Sequence, residues 1–274
     1  MNKVWFITGT SKGFGREFAR AALERGDRVA ATARDTAAVR DLADRFGDAL
    51  LPIRVDVTDR TQVFEAVTAT TERFGRIDVV VNNAGYGLYG AVEELSVQEL
   101  RDQLETNLFG VLHVTQAVLP ILREQGSGHI FQISSVGGIL TAGGMGAYST
   151  SKWALEALSE ALAEEVAPFG IKVTLIEPGA FATNIHHAPV SVARPLAAYE
   201  PLRASLADMV GTLVQSAARP EGAAAALLLL SDMEQPPLRV LFGEAPTQQV
   251  PAAYQRRLET WAEWAHLSKA ADGN

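Results

Sequence analysis

Cysteine is absent from the 274-residue chain, which rules out disulfides, thiol nucleophiles and thiolate metal sites. Long apolar runs are absent too. The longest, residues 223–230, falls far short of the roughly 20 residues that span a bilayer. The first run, Val4-Trp5-Phe6-Ile7, is too short for the apolar centre of a secretory signal. There is no dense basic stretch, and the formal net charge of −8 argues against nucleic acid or anionic membrane as the main partner. The five histidines (His113, His129, His186, His187 and His266) show no metal-ligand spacing, and the pair His186-His187 reads as a polar loop. The expectation is a soluble, cytoplasmic protein with no metal site.

What is present suffices for a full core. At 47% hydrophobic, the chain fits one large α/β domain better than two small ones. Residues 4–8 form a short apolar run that leads into Thr8-Gly9-Thr10-Ser11-Lys12-Gly13-Phe14-Gly15. Phe18, Ala21, Ala22 and Leu23 then keep helical spacing up to Gly26, a C-cap candidate. Strand, glycine-rich turn and helix together suit a pyrophosphate: glycine lets backbone approach it, and the helix N-terminus faces its charge. An ordinary tight turn would also use these residues, but placement after the first strand favours the cofactor reading.

A second strand, residues 28–33, stops at Arg34-Asp35. In dinucleotide folds an acidic residue here binds the ribose hydroxyl of NAD, whereas arginine accepts the extra phosphate of NADP. Arg34 comes first in the turn, while Asp35 stands where it can cap the helix over residues 36–46. Lys12 adds a second positive charge near the same phosphate. NADP is therefore favoured, with two solvated surface cations as the bland alternative.

A third strand, residues 50–55, ends at Asp56-Val57, and Asp56 either meets an adenine amino group or caps the helix over residues 59–74. The fourth, Asp78-Val79-Val80-Val81, is continuously apolar, as in a parallel sheet covered on both faces, and runs into Asn82-Asn83-Ala84-Gly85. Four strand–helix alternations predict a Rossmann-type, doubly wound parallel sheet in a single domain, residues 1–243. One long helix is expected over residues 97–123, with Asn107 in its apolar middle. Asparagine is a poor helix former and needs partners when buried. It is either a satisfied core amide or the centre of a helix distortion. A strand over residues 129–133 delivers Ser134-Ser135, and Gly137-Gly138 and Gly143-Gly144 read as mobile links. Another strand, residues 171–176, runs into Glu177-Pro178-Gly179-Ala180-Phe181-Ala182-Thr183.

Between these strands lies Tyr148-Ser149-Thr150-Ser151-Lys152. Tyrosine and lysine four residues apart share one helix face, about 6 Å of rise apart. An ammonium beside a phenol of reference pKa about 10 favours the phenolate, so Lys152 is expected to lower the Tyr148 pKa. The pair alone would also fit an aromatic ring packed on a lysine stem.

Taken together, Thr8-Gly9-x-x-x-Gly13-x-Gly15, Asp56, Asn82-Asn83-Ala84-Gly85, Asn107, Ser135, Tyr148-x-x-x-Lys152 and Pro178-Gly179 resemble the short-chain dehydrogenase/reductase family over residues 3–183. Residues 238–242 would complete the sheet. Ser135, thirteen residues before Tyr148, matches the family's spacing and Ser134 does not. The resemblance implies that Tyr148 exchanges a proton with the substrate oxygen, Ser135 hydrogen-bonds that oxygen, and Lys152 holds the nicotinamide ribose. It also implies that Asn107 positions a water and that Thr183 meets the nicotinamide carboxamide. The implied NADP(H) contacts are Gly9, Thr10, Ser11, Lys12, Gly13, Phe14, Gly15, Arg34, Asp56, Val57, Asn83, Ala84, Gly85, Tyr148, Lys152, Pro178, Gly179, Phe181 and Thr183. The partners implied are a small-molecule carbonyl or alcohol substrate and a second copy of the chain in a homo-oligomer.

Two stretches depart from a minimal family member. Residues 184–215 are the expected substrate lid; Leu140, Met145, Phe181, Ile185, Pro189, Leu196 and Tyr199 suggest a pocket for a hydrophobic carbonyl compound. Residues 244–274 are expected to form a helical extension, with Tyr254, Leu258, Trp261, Ala265 and Leu267 on its apolar face and Trp261 and Trp264 as packing anchors.

Overall fold

Strand β1 (Val4–Thr8) is buried along its whole length, because it lies in the interior of a seven-stranded sheet in the computed structural model, which describes residues 2–183 and 190–273. The further strands are β2 (Arg28–Ala33), β3 (Leu50–Arg54), β4 (Val79–Asn82), β6 (Gly128–Ile133), β7 (Ile171–Pro178) and β9 (Arg239–Phe242). Their order is β3-β2-β1-β4-β6-β7-β9, and every ladder is parallel. Alternate side chains point to opposite faces. Trp5 and Ile7 join Phe18, Ala22, Val29 and Leu227 on one side. Phe6 joins Val63, Val67, Val80, Val114 and Leu162 on the other.

Helices α1 (Gly13–Glu24) and α8 (Pro220–Asp232) cover the first face; α3 (Arg60–Phe74), α5 (Gly110–Gln125) and α6 (Gly146–Val166) cover the second. The chain winds outward from β1 to β3, then returns to lay β4 on the other side of β1. Ligands bind beyond the carboxyl ends of the strands at such a reversal.

The helix expected over residues 36–46 begins as a 3₁₀ turn (Thr36–Val39) before α2 (Arg40–Phe46). The long helix over residues 97–123 divides: α4 (Val97–Leu104) passes through a π turn (Glu105–Phe109) into α5. Between β4 and α4, β5 (Leu88–Tyr89) pairs with β8 (Val190–Ser191) in a second, two-stranded sheet. The glycines at 137 and 138 are buried rather than mobile: a Cβ would lie 3.1 Å from the Tyr148 ring at Gly137 and 2.8 Å from Ser134 Oγ at Gly138.

Part of the expected lid is a helix, α7 (Glu200–Gln215); Ile185, Pro189 and the pair His186-His187 lie outside the described residues. The C-terminal extension is helical, as α9 (Glu244–Glu263) and α10 (Ala265–Ala271). Its inward face differs from the expected one. Pro246, Val250 and Ala253 are buried, whereas Tyr254, Leu258, Trp261, Trp264 and Leu267 are about half or more exposed. The tryptophans therefore do not anchor the helix: they continue the face of 246, 250 and 253, but burial ends at Arg257 and every described residue from 258 onward is exposed. No helix among the described residues is long and apolar enough to cross a membrane.

Candidate active site

The turn between β1 and α1 is shaped by two left-handed glycines, Gly9 (φ +69°) and Gly13 (φ +59°). Gly15 is needed for a different reason: a Cβ there would lie 2.4 Å from both Asn83 Nδ2 and the Gly9 carbonyl. Asn83 ties β4 to this turn, donating through Nδ2 to the carbonyls of Thr8 (2.8 Å) and Gly9 (3.0 Å). Thr8 Oγ1 accepts in return from the amides of Asn83 (2.9 Å) and Ala84 (3.0 Å). Helix α1 has no side-chain cap at Lys12 and no acidic residue in its first turn. Its N–H groups thus face the cleft with their dipole unanswered, a cradle that fits a pyrophosphate.

At the end of β2, Asp35 accepts the amide of Ala37 at 2.9 Å and caps the following turn. Arg34 is exposed and lines the cleft. Asp56 is not the cap of α3. Asp59 fills that place, accepting from Thr61 and Gln62, while Asp56 Oδ1 accepts the amide (3.0 Å) and hydroxyl (2.8 Å) of Thr58 and leaves Oδ2 facing outward. The ring of Phe14 stacks on Phe18 at 5.4 Å and meets Phe181 edge-on at 4.9 Å, joining the glycine turn to the segment after β7.

Tyr148 and Lys152 enter from α6 and Ser135 from the end of β6; all three line the same cavity. Tyr148 is 5% exposed and lies within hydrogen-bond reach of Ser135, whose Oγ accepts the Gly137 amide at 3.0 Å. Lys152 Nζ donates to the Ile133 carbonyl at 2.7 Å and stands 6.0 Å from the centre of the Tyr148 ring. The expected lowering of the Tyr148 pKa is not what this geometry produces. Burial pushes the phenol well above its ordinary value, and the contact with Ser135 only partly opposes that. Burial also lowers the Lys152 ammonium to about 8, against the attraction of Glu156. At neutral pH the tyrosine is a protonated donor and the lysine a cation.

Asn107 sits in the π turn, where the Gly110 amide reaches back five residues to Glu105. Its side chain is fully committed. Oδ1 accepts the Tyr86 amide at 3.1 Å, and Nδ2 donates to the Tyr86 carbonyl at 2.9 Å and to Ser151 Oγ at 3.0 Å.

The cavity, about 800 Å³, brings together Gly9, Ser11, Lys12, Gly13, Phe14, Arg34, Asp56, Val57, Asn83, Ala84, Gly85, Ser135, Tyr148, Lys152, Pro178, Gly179, Phe181 and Thr183. Thr10, Gly15 and Asn107 are not among its walls. Thr10 is fully buried, its hydroxyl held by the Thr32 carbonyl at 3.1 Å. Gly15 and Asn107 shape the walls from behind. Of the residues expected to form the substrate pocket, Phe181 lines the cavity, while Leu140, Met145, Leu196 and Tyr199 do not. Leu196 is 40% exposed and Tyr199 donates its hydroxyl to Glu93 at 2.6 Å. Sequence reasoning missed Tyr86, Gly87 and Thr58 in the walls, and Tyr89, whose ring lies 6.2 Å from that of Tyr148. An alternation of Gly and Tyr after Asn83-Ala84-Gly85 was the available signal.

The family model for short-chain dehydrogenases matches residues 3–191. An oxidoreductase of Botryotinia fuckeliana is 43% identical over 276 residues, covering 99% of this chain and all of that protein. A short-chain dehydrogenase of Streptomyces avermitilis superposes with a TM-score of 0.88 at 42% identity, over 98% of each chain. A short-chain dehydrogenase/reductase of Burkholderia phymatum, solved with NAD, does so with a TM-score of 0.81 at 26% identity, over 94% of this chain and 95% of that one. The chain belongs to the short-chain dehydrogenase/reductase family, oxidoreductases of CH–OH and C=O groups.

Proposed function

We propose that the protein is an NADPH-dependent reductase of a largely hydrophobic carbonyl compound. The observation that carries the cofactor choice is the division of labour at the end of β2: Asp35 is bonded to Ala37, and Arg34 is left facing the cleft. Asp35 is turned to its own cap and is not among the cavity walls, whereas an exposed guanidinium in the wall suits a phosphate. Lys12 adds charge on the same side. The aromatic side chains Tyr86, Tyr148 and Phe181 in the walls support an apolar substrate.

The bound dinucleotide supplies the hydride. The chain supplies the rest. The Tyr148 hydroxyl gives its proton to the substrate oxygen, and burial keeps that hydroxyl protonated until the oxygen carries charge. Ser135, its Oγ already fixed by the Gly137 amide, turns its own proton toward the same oxygen. Lys152, charged and held at Ile133, stabilises the phenolate left behind and is placed to hold the ribose. Because the Asn107 side chain is committed, a water in this relay is held by backbone groups of the widened π turn.

The test is consumption of NADPH and of NADH, in parallel, with a panel of steroid, retinal, quinone, β-keto ester and small keto-acid substrates. Turnover of apolar carbonyls with NADPH favoured is the expected result. Equal use of both cofactors would sink the cofactor assignment, and turnover of the charged keto acids alone would sink the substrate class.

A further inference from the structure

Behind Ser135, on the side away from the cleft, the fold buries an acid pair that the steps above do not use. Glu156 lies on α6 one turn after Lys152, and Glu177 is the penultimate residue of β7, just before Pro178; their side chains are 9% and 3% exposed. The two carboxyls converge on the same Arg239 Nε, at 3.1 and 3.6 Å, and Ser134 stands beside Glu156. Gly138 closes the group from above: a Cβ there would come within 2.8 Å of Ser134 Oγ and 3.2 Å of Glu156 Oε1.

The charges facing this pair are few. Arg239 on β9 donates to Glu156 Oε2 at 3.1 Å and stands 3.6 Å from Glu177 Oε1, but it also pairs with the exposed Glu160 at 2.7 Å. Lys152 is the other cation, one helical turn away. Glu156 Oε1 and Glu177 Oε1 meet no donor with hydrogen-bond geometry, and neither is reached by water at the surface. Two ionised carboxylates gathered at one guanidinium cannot both keep a bare, buried oxygen. A single proton between them supplies the missing donor. With Arg239 answered by Glu160, the pair then carries one negative charge against one positive charge on Lys152.

We propose that Glu156 and Glu177 share one proton, with the negative charge on Glu156, and that this pair is the internal counter-ion that keeps Lys152 charged. Both are positioning residues that act through Lys152. The inference rests on the reading of Lys152 as a working group of the site, but its test needs neither cofactor nor substrate. Burial raises both carboxyls above the ordinary range, Glu177 to about 8, which agrees with one of them being protonated at neutrality.

The experiment is done on the full chain without ligand. The ¹³Cε resonance of Lys152, assigned by its loss in Lys152→Met, is titrated in wild type, Glu156→Gln and Glu177→Gln. Infrared difference spectra near neutral pH read the carbonyl stretch of a protonated carboxyl. The wild type is expected to show that stretch and both variants to lose it. In Glu156→Gln the lysine midpoint falls, because the negative charge moves from one turn away on α6 to Glu177 on β7. In Glu177→Gln it stays put, because the glutamine amide replaces the shared proton as donor and Glu156 stays ionised. Glu156→Asp, which keeps the charge, restores the wild-type midpoint. A wild type without the stretch, or a Lys152 midpoint that Glu156→Gln does not move, overturns the proposal. A normal circular dichroism spectrum for each variant separates these outcomes from misfolding, and should Glu156→Gln not fold, the wild-type infrared spectrum and Glu177→Gln still decide. Failure of the proposed reductase activity would leave these readouts untouched.

Discussion

Glu94 receives the guanidinium of Arg203, joining the turn before α4 to helix α7. The same carboxylate accepts the amides of Leu196 and Ala91, each at 2.8 Å. Glu93 and Glu99 add parallel ties, to the Tyr199 hydroxyl at 2.6 Å and the Ala193 amide at 2.7 Å. Burial acts against the charge on Glu94, but the two amides and Arg203 hold its carboxyl below the usual range. A depressed carboxyl stabilises above its unfolded pKa and is lost as pH falls through the folded one. Glu94→Gln is therefore expected to raise hydrogen exchange of residues 200–215 on the order of tenfold at neutral pH, and acidification of the wild type to loosen the same helix. Unchanged exchange in the variant would show that α7 is held by something else.

Arg34→Asp is expected to weaken NADPH binding roughly tenfold to a hundredfold, through loss of a charge-assisted contact worth about 1.5–3 kcal/mol and added repulsion. NADH binding should change far less. Cofactor titration by fluorescence reads both, and a parallel loss for the two cofactors would contradict the assignment of Arg34 to the phosphate.

Tyr148→Phe removes one hydroxyl and keeps a ring that packs against Gly137. Turnover should fall by at least about 10²-fold, the lower end of what a positioned acid contributes, with NADPH affinity nearly unchanged. Lys152→Ala should lower both. Single-turnover rates beside cofactor titrations distinguish them, and near-normal reduction by Tyr148→Phe would overturn the mechanism.

His129 offers a test of stability. Its ring lies 3.9 Å from Phe131 and donates through Nε2 to Thr174 Oγ1 at 2.9 Å, since the Thr174 hydroxyl itself donates to the Pro237 carbonyl. Nδ1 is buried without a partner. Burial, reinforced by Lys172 and Lys3, lowers its pKa to about 3. The unfolded chain takes up this proton near pH 6.5 and the fold does not, so stability should fall as pH drops from about 6.5 toward 3. The loss should reach about 3 kcal/mol by pH 4. Urea unfolding at several pH values measures it, and His129→Phe should flatten that part of the curve.

The sheet and the cofactor turn were legible because each rests on a local pattern: apolar runs covered on both faces, and glycines where backbone must cross closely. Ser135, Tyr148 and Lys152 were picked out by the family resemblance rather than by spacing alone, and they line one cavity. Three features were not legible. The pairing of Leu88–Tyr89 with Val190–Ser191 joins two-residue strands about a hundred positions apart, too short to show a period. The exposure of Trp261 and Trp264 depends on how far along the helix the domain reaches, which is Arg257, and a stripe of large apolar residues does not show where that contact ends. The direction of the Tyr148 shift depends on burial, which no spacing reveals. Glu156 and Glu177 looked like ordinary helix and strand-end residues until the fold brought them to one place.

The all-parallel sheet has a kinetic consequence. Each ladder joins strands separated by a whole crossover, as in Trp5 with Val79 and Leu175 with Arg239, so no hairpin can nucleate it. During synthesis β1 to β4 can assemble while the rest is still being made, and β6, β7 and β9 add to one growing edge. Arg239 belongs to the last of them. Until it docks, the acid pair on α6 and β7 lacks its nearest cation. Sealing of the interior behind Ser135 thus waits for the final strand, which makes the closing of that edge, rather than the formation of the nucleotide half, the step most sensitive to salt and pH.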